Sequence, residues 1–340
     1  MASIKDVARH AGVSIASVSR VLNSTFPVTE RTRDRVLLAV NELDYRVDQR
    51  ARALRRRRSG TLGLIVSDVG NPFFPQVLHA IEAGADENEF SLFLCNSDED
   101  LRRQRLHVDS MIEQRIEGVI VMPIVDDRAV LAPLIAARIP IVLLDRSVTG
   151  GQADSVLLDN HAGSELAVQH LYALGHRRIA MISVAGTPPG DERLEGARRA
   201  LAAQGLVLDP DLAYAGELKE SGGYAQMQAL LGTPQPPTAV IVVNNPMAIG
   251  ALVALRERGL RVPQDMSVVA FDDVSWANLL QPPLTTIQQP TRDIGNRALQ
   301  LLIERVERHY LGPPRRVLLP PSLVERESTC AVTSARPLPT

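Results

Sequence analysis

The chain has 340 residues, 45% hydrophobic and 22% charged, with a formal net charge of -2 and 2 cysteines, a make-up that suits more than one globular domain and excludes a disordered, fibrous or disulfide-framed chain. No stretch reaches the ~18 apolar residues of a membrane span, and the polar start Ser3-Ile4-Lys5-Asp6 lacks the apolar run of an export signal, so a cytoplasmic location is expected. The near-neutral total hides an asymmetry, since residues 1–60 hold 13 Lys and Arg against 6 Asp and Glu, leaving 24 against 33 elsewhere; a basic head on an acidic body points to nucleic acid or another anionic surface, with solvated charge as the competing account.

The first predicted helix opens at Ser3, which forms a capping box with Asp6, and continues through Ile4, Val7, Ala8 and Ala11. Gly12 breaks it. Ser14 can cap a second helix in which Val18, Val21 and Leu22 make one buried stripe, and a third starts near the capping residue Thr29 and runs through Val36, Val40 and Leu43. The second helix leaves Ile15, Ala16, Ser17, Ser19 and Arg20 off its stripe, with no acidic residue among them. Such a face suits the DNA major groove, where Arg can pair with guanine, apolar groups can meet a thymine methyl and hydroxyls can bond phosphate. It would serve equally as solvated surface.

Residues 46–60 form an arginine-rich segment with Ala51, Ala53 and Leu54 interspersed. It can be helical but has too little apolar surface to be stable alone, so it is expected to fold against a partner. Arg52 and the run Arg55 to Arg58 are then suited to phosphate.

Beyond residue 60, short runs rich in Val, Ile and Leu recur at Leu62 to Val66, Gly118 to Met122, Ile141 to Leu144, Ile179 to Ile182, Ala239 to Val243 and Ser267 to Phe271. They read as buried parallel strands. Helical stretches lie between them, at Phe74 to Glu89, Leu101 to Gln114, Ala162 to Leu174 and Arg193 to Gln204. This alternation predicts doubly wound parallel sheets, and the number of strands predicts two lobes with a ligand site in the cleft at the strands' carboxyl ends. There is no Gly-x-Ser-x-Gly elbow, Walker loop or compact metal-ligand cluster, so neither an enzyme nor a metal or cofactor is expected. An exported solute-binding protein would share the sensor fold but would need no basic head.

Ile4-Lys5-Asp6-Val7-Ala8, Ala11-Gly12-Val13-Ser14 and Val18-Ser19-Arg20-Val21-Leu22-Asn23 resemble the signature of the lac repressor (LacI/GalR) family, continued by Thr32-Arg33 and Leu43-Asp44-Tyr45. The likeness covers nearly the whole chain, through Asn71-Pro72-Phe73-Phe74, Asp145-Arg146, Asp159-Asn160, Arg193-Leu194-Glu195-Gly196, Phe271-Asp272-Asp273 and Leu284-Thr285-Thr286-Ile287. The resemblance implies a small all-α helix-turn-helix headpiece over 1–45, a hinge helix over 46–60 and an α/β two-lobed periplasmic-binding-protein-like domain over 61–330; residues 331–340 read as a disordered tail. It implies a sequence-specific DNA-binding transcriptional regulator, a repressor, working as a homodimer on a pseudo-palindromic operator and controlled by a small-molecule effector, a sugar or related metabolite.

For DNA, the resemblance assigns base reading to Ile15, Ala16 and Arg20 and backbone positioning to Ser14, Ser17, Ser19 and Asn23. Leu54 falls where family members wedge a leucine into the minor groove, flanked by Arg52 and Arg55. For the effector it assigns Phe73, Phe74, Arg146, Asp159, Arg193, Asn244, Asp272 and Gln289. Three positions depart from the family pattern: Val47 replaces a proline, Asn245 an aspartate, and Leu218 an aromatic residue. Whether the effector releases or promotes DNA binding is open at this level.

Overall fold

The computed structural model describes residues 2–23, 28–45, 59–210 and 213–332, in two compact units, Met1–Gly60 and Thr61–Thr340. In the first unit three helices, α1 (Ile4–Ala11), α2 (Ile15–Asn23) and α3 (Glu30–Glu42), enclose a small core of Val7, Ala8, Ala11, Val18, Val21, Val36 and Ala39. The Ser3 hydroxyl accepts from Asp6 N, and the Asp6 carboxylate accepts from Ser3 N at 3.0 Å, which is the capping box read in the sequence. Gly12 ends α1 with φ +62, a left-handed conformation that glycine adopts without a Cβ penalty. Ser14 Oγ accepts from Ser17 N at 3.1 Å at the start of α2. Thr29 differs from expectation: it precedes α3 but makes no side-chain cap, because its hydroxyl bonds the Thr32 hydroxyl at 2.9 Å. Leu43 lies just past α3, where it and Val40 pack on the core from its partly exposed edge.

The second unit holds two six-stranded sheets. The first lobe contains β1 (Thr61–Val66), α4 (Phe73–Glu87), β2 (Ser91–Asn96), α5 (Leu101–Glu113), β3 (Gly118–Val121), α6 (Ala132–Ala136), β4 (Ile141–Leu144) and β5 (Asp154–Leu158). The second contains α7 (Asn160–Ala173), β6 (Ile179–Ser183), α8 (Pro188–Ala203), β7 (Ala213–Ala215), α9 (Glu220–Leu231), β8 (Ala239–Val242), α10 (Asn245–Glu257), β9 (Ser267–Phe271) and β10 (Thr285–Gln288). The chain then returns to the first lobe with α11 (Thr291–Val306) and β11 (Arg316–Leu319), and ends in the second with β12 (Ser322–Val324). Three crossings therefore join the lobes, after β5, β10 and β11.

The strand orders are β11-β5-β4-β3-β1-β2 and β12-β10-β9-β8-β6-β7, all parallel except the β10–β12 pair. Each order reverses once, between β1 and β3 in the first sheet and between β6 and β8 in the second. At such a switch point the connections leave in opposite directions and open a crevice at the strand ends. The central strands are buried on both faces, which is why they appear in the sequence as unbroken apolar runs. Two buried clusters, one containing Leu62, Ile81 and Leu302 and the other Ile65, Met111 and Leu134, flank the first sheet. A larger cluster fills the second lobe.

Helix α8 begins earlier than its sequence pattern suggests. Thr187 caps it by accepting from Gly190 N at 3.3 Å, and Pro188 and Pro189 occupy its first two positions, where the missing N–H groups cost nothing. The Gly186 to Gly190 stretch thus supplies the cap and first turn of the helix that carries Arg193. No helix among the described residues is long and apolar enough to cross a membrane.

Candidate functional site

In the headpiece, α2 turns Val18 and Val21 into the core and leaves Ile15, Ala16 and Arg20 exposed, with Ser17 and Ser19 half-buried at the margins. Ile15 is 38% exposed, a large apolar side chain left outside a core short of such groups. The Ser14 hydroxyl lies 2.9 Å from that of Ser17 and belongs to the helix start. Asn23 is the last residue of α2. Arg52, Leu54 and Arg55, like the whole stretch 46–58 and the tail from 333 onward, lie outside the described residues.

In the second unit, seven of the eight side chains expected at the effector site line one cleft: Phe73, Phe74, Arg146, Arg193, Asn244, Asp272 and Gln289. Its empty volume, counting the open mouth, is about 550 Å³. Six of these residues sit just beyond a strand or in the first turn of a helix, and Arg193 lies in the second turn of α8, so the parallel sheets aim them at one place. Asp159 is set apart. It is not among the cleft-lining residues, and its carboxylate caps α7 by accepting from Ala162 N at 2.9 Å.

The two arginines are tied down. Arg146 makes a forked ion pair with Glu99, at 2.8 and 2.6 Å, and its Nε lies 3.7 Å from Asp145. Arg193 donates from Nε to Asn160 at 2.8 Å and from Nη1 to the Val243 carbonyl, while its guanidinium lies 4.2 Å above the Phe271 ring. Asp272 accepts from Gln289 Nε2 at 2.5 Å. Asn244 caps α10 by accepting from Met247 N at 2.9 Å. Phe73 and Phe74 meet edge to face with centroids 5.0 Å apart and form an apolar wall.

Burial shapes the charges. It pushes the Asp145 carboxyl up to about 6, although Arg146 and Arg193 both favour its ionised form. Asp272 is likewise pushed up by burial, against the pull of Arg193 and of the Gln289 hydrogen bond. Burial lowers Arg193, which the nearby Asp272 and Asp145 partly offset. Both aspartates have positive φ, +66 at Asp145 and +74 at Asp272, turns that swing each side chain off its strand end. Two lining side chains hold buried atoms without a hydrogen-bond partner among the described residues, Arg146 Nε and Gln289 Oε1.

The sequence reading missed Asp68, Glu99, Thr187 and Pro189 as lining residues and named Asp145 only as part of a motif. Glu99 has no signal of its own, because it becomes part of the site through a partner 47 positions away. Thr187 and Pro189 lie in the cap and first turn of α8, ahead of the stretch that the sequence pattern marks as helical. Leu218 does line the cleft, so the departure from an aromatic residue falls on its wall. Asn245 is fully buried with both amide atoms unpartnered among the described residues, but it does not line the cleft.

Two family models match the chain: that of the bacterial regulatory proteins of the lacI family over residues 3–48, and that of the periplasmic binding protein-like domain over residues 168–329. The HTH-type transcriptional regulator RegA of Clostridium saccharobutylicum is 36% identical over 332 residues, covering 96% of this chain and 99% of that protein. The structure of a lac repressor dimer bound to operator and the anti-inducer ONPF superposes with a TM-score of 0.86 at 32% identity, over 97% of this chain and 99% of that one. A LacI family transcriptional regulator of Enterococcus faecalis, solved with bound ribose, matches with a TM-score of 0.73 at 30% identity, over 80% of this chain and 100% of that one. Headpiece, sensor and full-length similarity agree, and the chain belongs to the LacI family of DNA-binding transcriptional regulators.

Proposed function

We propose that this regulator is a cytoplasmic homodimeric repressor that binds a pseudo-palindromic operator and releases or grips it according to a sugar-like effector in the sensor cleft. The cleft carries the reading. One wall offers the Phe73 and Phe74 rings to the carbon face of a small molecule, while Arg193, Asn244, Asp272 and Gln289 converge on it as donors and acceptors for hydroxyl groups. A polyhydroxylated ring has one apolar face and a polar rim, which matches that division. The ribose found in the Enterococcus faecalis relative is a ligand of this kind.

On the DNA side, the exposed face of α2 presents Ile15, Ala16 and Arg20 to bases, with Ser14, Ser17 and Ser19 beside them for phosphates, and the family resemblance adds Asn23 to that group. Arg52, Leu54 and Arg55 would join from the hinge. Effector binding acts by changing how the two lobes close and so how the hinge segments of the dimer are spaced. The test is a selection of bound fragments from random duplex DNA by the purified protein, followed by titration of the winning sequence against a panel of free sugars. Enrichment of a pseudo-palindrome whose complex responds to one sugar is expected. Failure to enrich any sequence, with or without sugars, would overturn the regulator reading for this chain.

A further inference from the structure

Phosphate groups are held in proteins by open arginine forks and by free N–H groups at helix starts, and among the described residues of the cleft both are largely occupied. The Arg146 fork is closed on Glu99, and Arg193 is engaged by Asn160 and the Val243 carbonyl. Three helices start at the cleft, and prolines stand in the first turn of each. In α8 Pro188 and Pro189 lack N–H groups and that of Gly190 is bonded to Thr187. In α10 Pro246 lacks one and that of Met247 is bonded to Asn244. In α4 the N–H groups of Phe73 and Phe74 are bonded to Asn71, and Pro75 follows.

The charge balance points the same way. Four carboxyl groups line the cleft, on Asp68, Glu99, Asp145 and Asp272, against two guanidiniums. An anion entering this partly dry space meets like charge with little screening. Neutral hydroxyl groups are suited to it, since a hydroxyl can accept from Arg146 Nε or donate to Gln289 Oε1, buried atoms of lining side chains that have no hydrogen-bond partner among the described residues.

Building on the sugar reading above, we infer that the cleft selects the free, uncharged sugar and rejects its phosphorylated form. The regulator then reports the pool that stands before a phosphoryl-transfer step. A kinase-class reaction that consumes the sugar ends the signal, and its product does not sustain it.

Calorimetric titration of the full-length protein with D-ribose, D-xylose, D-glucose and D-galactose, and with the 5- or 6-phosphate of each, tests this. One free sugar should bind, with its phosphate about a hundredfold weaker. Glu99→Gln removes one lining charge and loosens the Arg146 fork, and should narrow the gap to about tenfold; Asp68→Asn, at another half-buried position, should narrow it in the same direction. A phosphate bound as tightly as its free sugar, or a gap unchanged in both variants, overturns the inference and leaves the sugar reading standing. Absence of binding by every sugar and every phosphate overturns the sugar reading itself, and the inference with it.

Discussion

Single residues in the cleft trade stability for charge placement. Asp145 is held by burial with its pKa raised to about 6, above its ordinary 3.8. A raised carboxyl favours the folded state when protonated, so its contribution is complete below pH about 4 and is lost as pH climbs through about 6. Asp145→Asn mimics the protonated form. It should stabilise the ligand-free protein by about 2 to 3 kcal/mol at pH 7.5, by only about 1 kcal/mol near pH 4.5, and not at all below pH about 3, read as melting temperature against pH. Equal effects at all these pH values would show that Asp145 is not strained by its surroundings. In the headpiece, Arg20→Ala should weaken operator binding by roughly 1 to 3 kcal/mol and relax preference at one base pair. A uniform loss on all sequences would restrict Arg20 to phosphate contact. Arg20 was legible in the sequence because it falls off the apolar stripe of α2 and matches the family signature, whereas Asp145 showed only as part of a motif. Glu99 and the engagement of Asp159 in capping were not legible, because both depend on which side chain wins a local competition for partners.

At the scale of elements, buried strands were readable, while the proline-led start of α8, edge strands and helix crossings were not. The strands β3, β6, β8 and β9 announce themselves as apolar runs because both of their faces are covered. The edge strand β2 mixes exposed and buried positions and carries no such run. Helix crossings leave a different trace. At Gly223 of α9 and Gly250 of α10 an added Cβ would fall 2.0 Å from the Met247 carbonyl oxygen and 1.9 Å from that of Glu220, so the two helices pack backbone to backbone. Gly250→Ala forces main chain against main chain, with no flexible side chain to yield. A loss of roughly 1 to 3 kcal/mol is expected from such overpacking, measured by chemical denaturation. The control is Gly259→Ala: it has no neighbour within 4 Å, so its cost should come from its positive φ of +69 alone. If Gly250→Ala were no worse than Gly259→Ala, the close crossing would not be a constraint.

For the whole molecule, two lobes joined by three crossings form a cleft whose walls belong to different sheets, with Phe73, Phe74 and Arg146 on one side and Arg193, Asn244, Asp272 and Gln289 on the other. A ligand that touches both walls binds the closed arrangement better than an open one, and it can shift the equilibrium only by that difference in affinity. If closure also sets the geometry of the DNA-binding segments, effector and operator are coupled, and the coupling is reciprocal. Whatever factor the effector applies to operator affinity, operator must apply to effector affinity. Allosteric couplings of this type are typically about 5- to 150-fold. Measuring effector affinity on free protein and on protein saturated with operator, and operator affinity with and without effector, should give the same ratio twice. Its direction identifies the effector as inducer or corepressor. Two different ratios would mean that the thermodynamic cycle does not close on two ligands and one dimer, and that a further binding event, such as a change in assembly, takes part in the switch.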